Sequence, residues 1–247
     1  MNLSWLSNPE IFQVNRLKAH SSHHYYANEE EKQSSFIHVL DGTWTFHYAN
    51  ALNEVIDGFE KESYDCSTWD DIQVPSHIQM QGYGTPMYVN QIYPWSGSEE
   101  LLPGEIPQHN PVGSYVTYFE SSILKENTKT RIVFHGAESG MALWINGTFV
   151  GYSEDSFTPS AFDISEYIHE GRNKVAVNVY RFTSGSWLED QDFWRFSGLF
   201  RSVELQSVPF VHVNDLKITQ DVNDLKHPKI IVAPVMEASE DYTLEYR

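Results

Sequence analysis

Short runs in which apolar and polar residues alternate, separated by turn residues, constrain the fold of this chain more than any other feature. The run 174–180 alternates cleanly, and the dipeptides Asp41-Gly42 and Asn146-Gly147 each separate two apolar runs. Asp-Gly and Asn-Gly in such positions are strong signals for a tight turn between antiparallel strands. Because many short strands with frequent turns are typical of sandwiches and jelly rolls, the sequence predicts an all-β fold with little helix.

The predicted strands share apolar or aromatic residues at alternate positions. They cover 36–40, 43–48, 72–75, 113–119, 130–135, 141–145, 148–152, 162–164, 174–180 and 199–205. Pro86 and Pro94 restrict the backbone around the aromatic cluster 88–95, which predicts a fixed, extended loop. Residues 96–111 contain several glycines and prolines without periodicity. A loop of this length inside a compact domain is usually functional, so we expect a lid or an interface element.

The strand pattern divides the chain into three parts. Residues 1–35 are polar and without a clear period, which predicts an arm lying over the core or over a neighbouring subunit. Residues 36–208 carry the predicted jelly-roll sandwich. The strand signal restarts after Val208-Pro209, so residues 209–247 are interpreted as the first strands of a second β module. That stretch is too short for a complete sandwich, and we expect it to begin a longer unit.

The charge balance limits the kinds of partner. The chain carries 34 acidic side chains against 16 Lys and Arg, a formal net charge of −18. Such a surface repels a phosphate backbone, so we expect no nucleic-acid partner, whereas a neutral sugar or a cation is compatible. No apolar run reaches the length of a membrane span, so we expect no membrane partner. The single cysteine, Cys66, and the lack of a signal-peptide pattern predict a cytoplasmic location.

Residues 187–198 concentrate acidic and aromatic side chains. The stretch contains Trp187, Glu189, Asp190, Gln191, Asp192, Trp194 and Arg195. Indole faces cover the C–H groups of sugars while carboxylates accept from hydroxyls, so this composition is typical of a sugar site. The same carboxylates also suit a hard cation. A capped strand end with a buried Arg–Asp pair explains the composition as well, so the residues alone leave these alternatives open.

Several longer motifs occur in a fixed order along the chain. They are Asn8-Pro9; Asn15-Arg16-Leu17 with Ala19-His20; Leu40-Asp41-Gly42-Thr43-Trp44; Val74-Pro75-Ser76 with Gln79-Met80 and Gly82-Tyr83; Tyr88-Val89-Asn90 with Tyr93-Pro94; Leu143-Trp144-Ile145-Asn146-Gly147 with Val150-Gly151-Tyr152; and 188–198. In this order and spacing, the motifs closely resemble the N-terminal part of the large β-galactosidases of glycoside hydrolase family 2. A single piece such as Asn-Gly carries no weight alone.

The resemblance implies a jelly-roll sugar-binding domain, then an immunoglobulin-like β-sandwich from near residue 210, then a TIM barrel outside this sequence. It implies hydrolysis of terminal β-D-galactosides such as lactose by a retaining mechanism. Such an enzyme uses two carboxyl groups about 5 Å apart, and in this family both are glutamates of the barrel. Glu189 and Asp190 are therefore not expected to be catalytic, and the chain alone is expected to be inactive. Its expected partners are the remaining domains or a second subunit, within a homo-oligomer.

Two side chains match family residues that touch the substrate. Asn90 corresponds to an asparagine that contacts the galactosyl group, and an amide both donates to and accepts from sugar hydroxyls. Asp192 corresponds to an aspartate that binds galactose and ligates a sodium ion, a hard cation that prefers oxygen ligands. Trp194 and Arg195 match as supporting residues. The alternatives are a loop amide bonded to its own backbone for Asn90 and a buried partner of Arg195 for Asp192.

The resemblance also concerns magnesium. It implies magnesium in the barrel, outside this sequence. Some relatives hold a further magnesium ion beneath the N-terminal arm, where this chain has Glu154 and Thr183-Ser184. Because a serine hydroxyl is a poorer magnesium ligand than a carboxylate, the resemblance leaves that peripheral site open.

Two other functions stay open from the sequence. A stand-alone carbohydrate-binding module agrees with the sandwich pattern and the aromatic residues, although the unfinished second module counts against it. An oligomer-assembly element agrees with the arm and the long loop. β-Glucuronidase activity is disfavoured by residues 189–195, and the sequence of the barrel would decide that question.

Overall fold

The computed structural model describes residues 1–189 and 192–238, together with Asp241 and Thr243. The strands are β1 (Gln13–Val14), β2 (Ile37–Val39), β3 (Gly42–Ala49), β4 (Asp70–Val74), β5 (Met87–Val89), β6 (Val112–Glu120), β7 (Thr128–Phe134), β8 (Ala137–Glu138), β9 (Gly140–Ile145), β10 (Thr148–Ser153), β11 (Ser160–Asp163), β12 (Arg172–Tyr180), β13 (Phe193–Arg195), β14 (Gly198–Leu199), β15 (Val203–Pro209), β16 (His212–Asp221) and β17 (Lys229–Glu237). The helices are α1 (Ser186–Glu189) and the 3₁₀ helices Leu3–Ser7, Leu52–Glu54, Ile78–Gln81, Ser121–Ile123 and Ser165–Tyr167. Among the described residues, no helix has the length and apolarity needed to cross a membrane.

Two antiparallel sheets form the body of the fold. The larger sheet has seven strands in the order β1-β10-β9-β12-β6-β3-β4, and the smaller has four in the order β11-β7-β15-β2. Phe46, Leu143 and Val177 of the larger sheet share a buried apolar cluster with Ile132 and Leu205 of the smaller sheet. This arrangement confirms the predicted all-β sandwich, whereas the narrower term jelly roll stays a prediction.

The alternating run at 174–180 belongs to strand β12, which lies inside the large sheet. It pairs with β6 on one side and with β9 on the other. Val175 and Val177 belong to the cluster between the sheets, whereas Ala176 and Tyr180 belong to a second buried cluster. Because successive side chains of a strand point to opposite faces, the large sheet is covered on both faces.

A segment that crosses the outer face of the large sheet is fastened by Lys174. Phe59 and Cys66 of this segment belong to the second buried cluster. The Lys174 ammonium donates to the backbone oxygens of Phe59 at 2.7 Å and of Lys61 at 2.8 Å. Burial lowers the pKa of Lys174. An ammonium group that donates to several carbonyls tolerates such burial, so this lysine ties the covering segment to β12.

The N-terminal residues lie on the sandwich of their own chain. Strand β1 extends the large sheet beside β10. Arg16 forms a 3.0 Å ion pair with Asp155, and the Asn15 amide donates to the Val150 oxygen at 2.8 Å. The sequence predicted an irregular arm, because a strand of two residues is too short to show a period. Of the two expected locations, these contacts place the arm over the core of this chain.

Strands β16 and β17 form a hairpin beside the sandwich. The Glu237 carboxylate anchors it, lying 2.6 Å from Lys129 Nζ and 3.6 Å from Arg131 Nη2. Ile218 and Ile230 on the hairpin are 62% and 72% exposed. A two-stranded hairpin needs further packing to be stable. Its assignment to an immunoglobulin-like domain stays a prediction.

Candidate functional site

A two-stranded ribbon at the surface of the sandwich brings the two predicted site residues together. Strand β5 pairs antiparallel with β13, so that Val89 lies opposite Phe193. Asn90 is the next residue after Val89, and Asp192 is the residue just before Phe193. Both side chains are exposed. The ribbon therefore presents an amide and a carboxylate at the same open end, although they lie far apart in the sequence.

An aromatic pair lies on the ribbon beside Asp192. Tyr88 and Trp194 are opposite each other in the register, and their ring centroids are 5.6 Å apart. The Tyr88 hydroxyl donates a hydrogen bond to Asp192 Oδ1. This hydrogen bond raises the pKa of Tyr88, because a nearby carboxylate favours the protonated phenol. Tyr88 and Trp194 are 52% and 51% exposed, so the ring surface beside the carboxylate is open to a ligand.

The other face of the ribbon contacts the protein interior through Arg195. Arg195 is buried, with 2% of its surface exposed. Arg181, the residue after β12, donates from Nη2 to the backbone oxygen of Arg195 at 3.0 Å and to that of Thr85 at 2.8 Å. Thr85 precedes β5 and Arg195 ends β13, so one guanidinium group holds both strands of the ribbon.

A row of rings connects the ribbon with the sandwich. Trp194 stacks on Phe196 with an angle of 18° between the ring planes, and Phe196 stacks on His77 at 26°. His77 in turn stacks on Phe200 at 10°. Burial lowers the pKa of His77, which favours its neutral form within this stack. The row restricts the orientation of Trp194 and, through it, of Tyr88.

The loop after β5 has no strand or helix through residue 111, in agreement with the predicted loop. Trp187 anchors it, since its indole nitrogen donates to the Glu105 oxygen at 2.7 Å. Tyr93 stacks on Trp95 at 5.1 Å. The loop forms one wall of an open cavity of about 450 Å³, whose opposite wall includes Tyr48 and Arg181. The expected role of the loop as a lid or interface stays a prediction.

The Glu189 carboxylate forms hydrogen bonds within the protein. It ends α1, and its carboxylate accepts from the backbone nitrogen of Ser156 at 2.9 Å and from the Ser156 hydroxyl at 2.5 Å. Burial raises the pKa of Glu189. Asp190, the other acid that was not expected to be catalytic, lies outside the described residues together with Gln191. The exposed position of Asp192 differs from the alternative of a buried carboxylate beside Arg195.

The described residues do not form a complete metal site. Within 1–189 and 192–238, no group of three or more His, Cys, Asp and Glu side chains is arranged to hold a metal ion. Asp192 and Asn90 together offer hard oxygen donors of the kind that sodium accepts, so they fit part of a cation site. Near the N-terminal segment, the buried Glu154 carboxylate accepts from the Ser184 hydroxyl and the Gly185 nitrogen, each at 2.8 Å. Burial raises the pKa of Glu154, which disfavours a charged metal ligand there.

Three residues of the site were not expected from the sequence: Tyr88, Arg181 and Thr85. Tyr88 was assigned to a loop, because β5 pairs with a strand about a hundred residues later and has no local signal. Once β5 and β13 are known to pair, their alternation puts Tyr88 and Trp194 on one face. No sequence pattern predicts the role of Arg181, because its hydrogen bonds to Thr85 and Arg195 depend on how segments distant in sequence pack together.

An exposed carboxylate, an amide and aromatic rings at the surface of a β-sandwich are typical of carbohydrate-binding β-sandwich proteins. Residues 37–209 match the sugar binding domain of the glycosyl hydrolases family 2. The chain belongs to this family, as the sequence motifs predicted.

Curated relatives are similar over nearly the whole chain. A β-galactosidase of Halalkalibacterium halodurans is 52% identical over 227 residues, which is 90% of this chain and 22% of that protein. A β-galactosidase of Clostridium acetobutylicum is 48% identical over 99% of this chain and 28% of that protein. The β-galactosidase large subunit of Leuconostoc lactis is 42% identical over 88% of this chain and 37% of that subunit. The chain therefore spans between about a fifth and a little over a third of the length of these relatives.

Solved structures share the fold. A β-glucuronidase from an uncultured Clostridium sp. gives a TM-score of 0.61 at 17% identity, covering 87% of this chain and 36% of that chain. A Ruminococcus gnavus β-glucuronidase in complex with uronic isofagomine gives a TM-score of 0.60 at 18% identity, covering 82% and 33%. At this level of identity the likeness concerns the fold alone.

Proposed function

We propose that this chain is the sugar-binding part of a β-galactosidase that hydrolyses terminal β-D-galactosides such as lactose with retention of configuration. The two catalytic glutamates would lie in a TIM barrel outside this chain, as the family resemblance implies. The observation that carries the proposal is the position of Asn90 and Asp192 at one open end of the β5–β13 ribbon. The identities of 42–52% to proteins named β-galactosidase support galactosides as the substrate class.

The chemistry of the two side chains suits a galactosyl group. The Asn90 amide can donate to one sugar hydroxyl and accept from another, whereas the Asp192 carboxylate accepts only. Because Asp192 Oδ1 accepts from Tyr88, Oδ2 remains available as an acceptor within the described structure. When the barrel covers the ribbon, water is excluded and these hydrogen bonds strengthen.

We include sodium in the proposal, with Asp192 as one of its ligands. The ion would orient a sugar hydroxyl, and its further oxygen ligands would come from the domains that complete the site. Magnesium belongs to the barrel in this proposal. The described residues give no support for a second magnesium ion at Glu154, because its carboxylate oxygens already accept from Tyr152, Ser184 and Gly185.

We further propose a homo-oligomer located in the cytoplasm. The exposed isoleucines of the β16–β17 hairpin are the kind of surface that neighbouring domains or subunits cover. Sizing of the assembled protein by light scattering tests the oligomer, and a monomer would contradict it.

The test of the sugar site is Asp192→Asn in the assembled enzyme, meaning this chain together with the domains that complete it. We expect kcat/KM for a β-galactoside to fall roughly 10- to 100-fold, the usual cost of losing a hydrogen bond to a charged group. Asp65→Asn changes an equally exposed aspartate outside the ribbon and serves as the matched control. Unchanged turnover in Asp192→Asn would contradict the proposed role.

A stand-alone carbohydrate-binding module is the second candidate, favoured by the exposed rings of Tyr88 and Trp194. It predicts that residues 1–247 alone bind a β-galactoside in a calorimetric titration. The leading proposal predicts no measurable heat under the same conditions, because half of the site is missing. Turnover by residues 1–247 alone would contradict both candidates.

A further inference from the structure

We propose that Tyr88 is a positioning residue that fixes the Asp192 carboxylate for sugar binding. This inference rests on the proposed function of Asp192. The Tyr88 hydroxyl donates to Asp192 Oδ1 across the ribbon, from a position 104 residues away in the sequence. In this proposal the Tyr88 hydroxyl acts on the sugar through Asp192.

The carboxylate needs such a constraint. The terminal torsion of an aspartate is broad, so an exposed carboxylate samples many orientations. Asp192 is exposed and lies just before the first residue of β13. Within the described residues, Tyr88 is the donor to this carboxylate. A hydrogen bond to an ionised oxygen is short and directional, so it selects one orientation and leaves Oδ2 pointing away from the phenol.

Tyr88 is well placed to impose this orientation because its own ring is held. Its ring lies 5.6 Å from that of Trp194, the partner in the strand register. Trp194 belongs to the row of rings that continues through Phe196 to His77. The hydroxyl is therefore carried by a ring that packs against Trp194, the outer member of a row of rings that reaches the sandwich.

The hydrogen bond between Tyr88 and Asp192 is already formed in the chain without a sugar. Preorganising one acceptor before the sugar arrives lowers the entropy that is lost on binding.

Tyr88→Phe in the assembled enzyme removes the hydroxyl and keeps the ring against Trp194. We expect about a tenfold loss of affinity for a non-hydrolysable β-thiogalactoside, measured by calorimetry, which corresponds to about 1.4 kcal/mol. The sodium concentration for half-maximal turnover should rise in parallel. Tyr83→Phe is the matched control, because the Tyr83 hydroxyl donates to Asp70 at 3.0 Å in a second Tyr–Asp pair outside the ribbon. We expect it to change affinity by less than about twofold.

A double-mutant cycle with Asp192→Ala, which leaves the Tyr88 hydroxyl without its acceptor, separates positioning from a structural role. If Tyr88 acts through Asp192, the loss of affinity caused by Tyr88→Phe shrinks to less than about twofold in the Asp192→Ala background. A loss of the same size in both backgrounds would overturn the inference. Normal affinity in Tyr88→Phe together with weakened affinity in Asp192→Ala would also overturn it. Normal affinity in Asp192→Ala itself would overturn the proposed function, and the positioning role with it.

Discussion

The guanidinium group of Arg181 donates to the backbone oxygen of Arg195 at a distance of 3.0 Å. The same nitrogen donates to the Thr85 oxygen at 2.8 Å. These two oxygens belong to the two segments that form the ribbon. Arg181, which directly follows β12, therefore fastens the ribbon and its residues Asn90 and Asp192 to the large sheet. The position of the candidate site thus depends on a residue that lies outside the ribbon.

Replacement of Arg181 by methionine is expected to loosen the ribbon. Arg181→Met keeps most of the apolar stem and removes the donors to both backbone oxygens. We expect a loss of about 2–4 kcal/mol in the free energy of unfolding, because the buried Arg195 oxygen and the part-buried Thr85 hydrogen bond lose this donor. Urea denaturation followed by tryptophan fluorescence measures the change. Arg172→Met is the control, since the Arg172 guanidinium packs on the Tyr118 ring at 3.7 Å near the surface, and we expect it to cost less than about 1 kcal/mol. Equal losses in the two variants would contradict the anchoring role.

Removal of the Lys174 ammonium is expected to detach the segment that covers the large sheet. Lys174→Met leaves the oxygens of Phe59 and Lys61 without this donor. A loss of about 2–4 kcal/mol is expected, together with faster hydrogen exchange in residues 58–66. Lys226→Met, in the exposed turn of the hairpin, should leave the unfolding free energy within about 0.5 kcal/mol. Unchanged hydrogen-exchange rates in residues 58–66 would contradict the proposed role of Lys174 in holding this segment.

The pair of His135 and Glu204 is expected to make stability depend on pH. The Glu204 carboxylate, 3.1 Å from His135 Nε2, raises the pKa of His135 above its ordinary value of 6.5. The same contact lowers the pKa of Glu204 below its ordinary value of 4.5. A raised histidine pKa stabilises the fold below pH 6.5 and loses this effect as the pH rises through the folded-state pKa. A lowered glutamate pKa stabilises above pH 4.5, so the pair contributes most between pH 4.5 and 6.5.

His135→Gln should therefore cost more at pH 5.5 than at pH 8.5. Because the pair is partly exposed, we expect a difference of about 0.5–1 kcal/mol in the free energy of unfolding. Denaturant titrations at the two pH values measure it. His38→Gln, on the exposed β2 strand, is the control for loss of an imidazole. A cost that is equal at both pH values would exclude the pair as the source.

The strands that the sequence predicted are those with a local signal. Val175, Val177 and Val179 alternate because β12 buries one face against the smaller sheet, and that alternation is visible without a structure. Strand β5 has only three residues, and its partner lies about a hundred residues further on, so Tyr88 was assigned to a loop. Lys174 looked like a polar position of an alternating strand, whereas the carbonyls of the covering segment bury it.

The candidate site was predictable in part. Asn90 and Asp192 were identified through the family resemblance, and the local composition of 187–198 left three interpretations open. The sequence did not predict that the two residues share one end of a ribbon, since this depends on the register of β5 against β13. It also did not predict the hydrogen bond from Tyr88, which that register creates.

The most direct test of the central claim is a structure of the assembled enzyme with a bound galactose-based inhibitor. We expect the Asn90 amide and Asp192 Oδ2 to lie about 3 Å from galactosyl hydroxyls or from a cation bound to them. The Tyr88 hydroxyl should keep its hydrogen bond to Oδ1. A galactosyl group bound more than about 6 Å from both side chains, beyond any direct hydrogen bond, would contradict the assignment of this ribbon as the sugar-contacting surface.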